Sequence, residues 1–165
     1  MSYSLSELNQ INQDEFVAAL GTVFEDTPAI AQKAWDKRPF ADVVALHHSM
    51  VEVVKTLTKD EQLALIRAHP DLGSKAKMAE ASVQEQAGVG LDRLTNLEYN
   101  RFVSLNQAYK HKFGFPFIIA VKNHTKTSIL DAFEHRLENT VEAEMEQALT
   151  EIAQIAWFRL HAIVT

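Results

Sequence analysis

Between Asn12 and Leu160 apolar residues recur at three- and four-residue spacing, in runs opened by residues that suit a helix cap. That period lines one face of an α-helix, and no convincing series of alternating residues supplies a competing sheet. Asn12 precedes Phe16, Val17, Leu20, Val23 and Phe24. Pro28 opens the next run, ending before Pro39, and Asp42 precedes Val43, Leu46, Met50, Val53, Val54 and Leu57. Thr58 and Thr95 are N-caps, and Thr95 begins a T-x-x-E capping box. Gly114 fits the left-handed residue that ends a helix. Thr125 or Thr127 starts a helix carrying Ile129, Leu130, Phe133 and Leu137. Asn139 caps the last, with Val141, Met145, Leu149, Ile152, Ile155, Ala156 and Leu160 inward. The expectation is all-α: one compact bundle of seven to nine helices in a single domain, residues 1–165.

Two stretches break the pattern. Residues 65–88 read as a helix stopping by Ala68, because the residue before Pro70 would leave αR geometry, then His69-Pro70-Asp71-Leu72 and a polar link. Residues 73–80 fit a loop or a short helix, and Ser82 opens a helix that Gly88 closes. The second is F-G-F-P-F-I-I-A-V at 113–121. Pro116 and the pair Ile118-Ile119 favour extended geometry, and the lack of polar alternation predicts burial on all sides.

Composition narrows the chemistry. The chain of 165 residues has no cysteine, which removes disulfides, thiolate metal sites and a cysteine nucleophile. A net charge of −6 without a basic run argues against nucleic acid. The N-terminus lacks a signal-peptide pattern and no apolar run is long enough to span a bilayer, so a soluble, cytoplasmic protein is expected. The seven histidines show no H-E-x-x-H or other ligand spacing, and no glycine-rich nucleotide loop or G-x-S-x-G elbow occurs.

Three side chains hold two readings each. His69 follows a helical run and is either a cap at the negative helix end or a proton-transfer group beside a rigid proline. Ser82-Val83-Gln84-Glu85 is S-x-x-E, and the pattern alone favours a capping box over a glutamate turned into a pocket. Arg159 lies on the inward stripe of the last helix. It either snorkels, its stem covering apolar surface, or presents a forked guanidinium to a carboxylate or ureide.

Taken together, H-P-D-L at 69–72, S-V-Q-E-Q-A-G at 82–88, L-N-x-x-Y-x-x-K-F-G-F-P-F at 105–117 and R-L at 159–160 form a specific set. The sequence closely resembles the 2-oxo-4-hydroxy-4-carboxy-5-ureidoimidazoline (OHCU) decarboxylase family, over nearly the whole chain. Ala29 departs from it, standing where that family usually carries a bulky aromatic. The resemblance implies cofactor-independent decarboxylation of that ureide to (S)-allantoin in urate catabolism. It implies His69 as the catalytic residue and Glu85 as its partner carboxylate. It further implies substrate contacts from Pro70, from Ser82, Val83, Gln84, Glu85 and Gln86, from the backbone of Phe117, Ile118, Ile119, Ala120 and Val121, and from Arg159. Neither metal nor organic cofactor is implied, and a homodimer is. The alternative is a non-enzymatic ureide-binding module on the same scaffold; a metal-dependent hydrolase is a weaker rival.

Overall fold

Cap chemistry decides where most helices begin. In the computed structural model, which describes residues 2–74 and 80–165, the side chains of Ser4, Asn12, Asp42, Thr58, Thr95 and Thr125 each accept a backbone N–H three residues on. They open α1 (Leu5–Leu8), α2 (Gln13–Leu20), α4 (Val43–Thr56), α5 (Lys59–Arg67), α7 (Asn96–Phe113) and α8 (Lys126–Arg136). Each satisfies a donor that the helix itself leaves unpaired, worth about 1 kcal/mol. α3 (Ala29–Ala34) follows Pro28, α6 spans Glu80–Gly88 and α9 spans Val141–Ile163. The described residues hold these nine helices, two 3-10 turns and an isolated bridge between Tyr3 and Val164, so the fold is all-α as expected.

The chain divides into two compact units. The first comprises Met1–Ala68 and Ala153–Thr165, the second His69–Ile152. In the first, Phe16, Leu20, Val23, Phe24, Ile30, Leu46 and Met50 are buried, and α3 packs on α2 and α4. Residues 38–40 are tied down by polar contacts: Arg38 donates to the carbonyls of Leu8 and Ile11 (3.1 and 2.6 Å), its guanidinium stacked 4.4 Å from the Trp35 ring. Asn9 and the Phe40 backbone exchange two hydrogen bonds (3.0 and 2.8 Å).

The second unit is built on aromatic residues. The Phe117 ring stacks on Phe133 at 3.7 Å between centroids, and Tyr109 meets Phe113, Phe115, Phe117 and Phe133. α7 ends at Gly114, whose φ of 79° is the left-handed conformation that glycine takes without strain.

Three expectations are corrected. The last helix is opened by Thr140, whose hydroxyl accepts the Ala143 N–H at 3.1 Å, and not by Asn139, whose amide reaches Glu144. Its buried stripe is rotated accordingly, to Glu144, Ala148, Ile152, Ala156 and Leu160, leaving Val141 43% exposed. Helix α6 has already begun at Glu80, so Ser82 lies inside it. A helical residue is not an N-cap, and the S-x-x-E capping box is therefore absent. The loop or short helix expected at 73–80 has its middle, 75–79, outside the described residues; Gly73 is a turn at φ 69°.

Candidate active site

Helix α5 stops where Pro70 demands: Ala68 is the C-cap, its N–H still bonded to the Ala64 carbonyl at 3.0 Å. His69 comes next and is buried, 8% exposed. The loop after it is held from α7. Asn106 donates to the Leu72 carbonyl at 2.9 Å, and Lys110 pairs with Asp71 at 3.2 Å. The L-N-x-x-Y motif thus has a physical purpose, since Asn106 fixes the H-P-D-L turn while Tyr109 points into the core.

Helix α6 adds the second group. Ser82 and Gln86 are buried and Glu85 is half-buried, sharing one face at spacings of three and four. Val83 and Gln84 lie on the exposed side, Gln84 reaching back to Glu80 at 3.3 Å. Gln86 accepts the Gly73 N–H at 3.0 Å, which ties α6 to the loop carrying His69. The structure therefore separates the segment into three inward side chains and two outward ones.

The third part is Phe117–Val121, buried throughout, extended until it enters the 3-10 turn Val121–Asn123 that packs on α6. With no ladder partner among the described residues, its backbone is met by side chains. Arg136 Nη1 donates to the Ile118 carbonyl at 2.7 Å, and Glu151 Oε1 accepts the Ala120 N–H at 3.0 Å. Arg136 also lies 4.3 Å from the Phe117 ring centre and pairs through Nε with Glu144 at 2.8 Å. Glu144 is fully buried and takes two more donors, Tyr109 Oη at 2.5 Å and Asn139 Nδ2 at 3.0 Å. Burial, and after it the hydrogen bond to Glu144, hold the Tyr109 phenol well above the usual phenol range. Sequence reading missed Arg136, Glu144 and Glu151. Glu144 left a trace, as the one charge in register at four-residue steps with Ala148, Ile152, Ala156 and Leu160.

Arg159 belongs to the first unit and is only 9% exposed, so its guanidinium does not snorkel to water. Both terminal nitrogens approach Glu25 Oε2 at 3.4 Å, and Nη1 lies equally far from the Thr22 and Val23 carbonyls. A buried arginine must be matched by a charge, and Glu25, 2% exposed, supplies one.

Other polar groups have plainer settings. His47 donates to the Ala153 carbonyl at 2.8 Å against the edge of Trp157, and among the described residues no group of three or more His, Asp or Glu could hold a metal ion. A cleft of about 510 Å³ in the second unit is lined by Gly88, Arg93, His124 and Lys126 among others, and takes in neither His69 nor Glu85. Among the described residues no helix is long and apolar enough to cross a membrane.

The chain as a whole is similar to known proteins. The 2-oxo-4-hydroxy-4-carboxy-5-ureidoimidazoline decarboxylase of Halalkalicoccus jeotgali is 40% identical over 160 residues, covering 97% of this chain and 91% of its own. The uric acid degradation bifunctional protein PucL of Bacillus subtilis is 43% identical over 163 residues, 99% of this chain; the chain spans 33% of that relative's length. A crystal structure of (S)-allantoin synthase superposes with a TM-score of 0.79 at 30% identity, over 98% of this chain and 54% of the other. A sequence model of the OHCU decarboxylase family matches residues 9–161, through both units, and the chain belongs to that family.

Proposed function

We propose that the protein converts 2-oxo-4-hydroxy-4-carboxy-5-ureidoimidazoline to (S)-allantoin in urate breakdown, as one domain spanning residues 1–165, acting as a cytoplasmic homodimer. The carrying observation is the 40% identity over 97% of the chain with a relative named for that reaction.

The substrate's own name supplies the chemical argument. The carbon that bears the carboxylate also bears a hydroxyl and sits beside a ring C=N. As the C–C bond to the carboxylate breaks and CO₂ leaves, its electron pair enters that C=N, so the substrate carries its own electron sink. The protein must orient the carboxylate, keep water away and deliver one proton to one face. His69 handles proton transfer at the substrate hydroxyl, and Glu85 orients it or binds the ureido N–H groups. Support comes from the burial of His69 behind a rigid proline, and from Glu85 sharing a helix face with Ser82 and Gln86. A positioned acid or base is worth about 10²–10⁴-fold, roughly 3–5.5 kcal/mol of barrier. The backbone of Phe117–Val121 meets a ureide rich in donors and acceptors. Arg159 binds a group retained in the product, because a strong grip on the departing carboxylate would stabilise the ground state instead.

The test generates the unstable substrate from urate in situ and follows optical activity. Wild-type protein should speed formation of optically active allantoin, where the spontaneous reaction gives racemate; racemic product at the spontaneous rate would sink the proposal. His69→Asn should abolish turnover while still binding allantoin. Near-normal turnover would remove His69 from the role given to it.

A further inference from the structure

We propose that Glu151 is a positioning residue for the substrate-binding segment Phe117–Val121, working opposite Arg136; this rests on the reading that the segment's backbone meets the ureide. Residues 115–120 lie in neither helix nor sheet, so each buried N–H and C=O needs its own partner. Two charges of opposite sign provide them from the two following helices. Arg136 on α8 holds the Ile118 carbonyl, and Glu151 on α9 holds the Ala120 N–H.

Ile119 sits between these anchors. It is 5% exposed, and neither its N–H nor its C=O is hydrogen-bonded to a described residue. A donor and an acceptor on one residue, held from both sides, suit a ligand that offers both. Arg136 is itself immobilised by Glu144 and the Phe117 ring. The Glu151 carboxylate is aimed by Gln147 one turn earlier, whose amide donates to Oε2 at 3.1 Å. Glu151 thereby acts through the Ala120 peptide on the groups of Ile119. It does not touch the reacting atoms.

Glu151 is the better lever, since it is half-buried whereas Arg136 sits in a buried charge network. Glu151→Ala should raise KM and weaken (S)-allantoin binding by about tenfold, the size of one charge-assisted hydrogen bond, with kcat changed far less. Glu151→Gln, whose amide oxygen still accepts an N–H, should recover most of that loss. Hydrogen exchange should rise at Ala120 and its neighbours in Glu151→Ala and stay unchanged in α2 and α4. A purely structural role would lower thermal stability and leave KM and allantoin affinity untouched. The proposal is overturned by unchanged affinity in Glu151→Ala, by a Gln variant as impaired as Ala, or by unchanged exchange at Ala120. If wild-type protein neither turns over nor binds allantoin, the functional reading falls, and the exchange measurement still decides whether Glu151 holds the segment.

Discussion

Replacing Glu144 by glutamine changes one atom and should destabilise the protein more than most core substitutions. The carboxylate is 0% exposed, with Tyr109 Oη at 2.5 Å and Arg136 Nε at 2.8 Å on Oε1, and Asn139 Nδ2 at 3.0 Å on Oε2. Glutamine keeps one acceptor oxygen for Tyr109 and Arg136, and its amide then faces Asn139. That clash is repairable, because Asn139 can turn to present its own oxygen. The charge is not repairable. The Arg136 side chain is 10% exposed and loses its counter-ion. Breaking a buried pair by removing one partner costs about 3–5 kcal/mol. At about 2–4 °C per kcal/mol for a chain of this size, Tm should fall by roughly 6–20 °C. Thermal melts by circular dichroism at pH 7 measure this, with urea midpoints at unchanged m as the second readout. Arg136→Met combined with Glu144→Gln should cost less than the sum of the singles, since the two losses are one interaction. A Glu144→Gln loss below about 1 kcal/mol would refute the claim that the network compensates a buried charge.

Because Ser82 is inside α6 and no capping box exists, Glu85→Gln should lower the decarboxylation rate by about 10²-fold or more with Tm nearly unchanged. Lost stability at a normal rate, read from parallel kinetics and melts, would return Glu85 to a structural role. Glu98 behaves differently: the Thr95 backbone N–H, then Lys126, hold its carboxyl below the usual carboxylate range. As its folded pKa lies below the unfolded one, the stabilisation is complete above the unfolded value and fades as pH falls towards the folded value. Stability measured from pH 6 downwards should decline less steeply in Glu98→Gln than in wild type, and identical slopes would contradict the assignment.

Caps and helix periods depend on residues a few positions apart, so they could be read directly. Asn12, Asp42, Thr58, Thr95 and Gly114 behave in the structure as their local chemistry requires, and Pro70 ends α5 as its ring dictates. The buried, non-helical Phe117–Ala120 was legible for the same reason, from one proline and two β-branched neighbours. Local rules failed where two local solutions compete. S-x-x-E satisfies a capping box on paper, but a helix already running from Glu80 leaves Ser82 nothing to cap. Asn139 and Thr140 could each have opened α9; the buried Glu144 drew the asparagine amide, and the threonine took the cap. Arg136, Glu151 and Glu25 were out of reach because their partners lie 18, 31 and 134 residues away along the chain. The sequence alone determined the helical class and those helix ends that a single cap, glycine or proline sets. Only tertiary structure decided which charges are buried and which backbone groups they hold, because the burial of a charge is fixed by the elements packed around it.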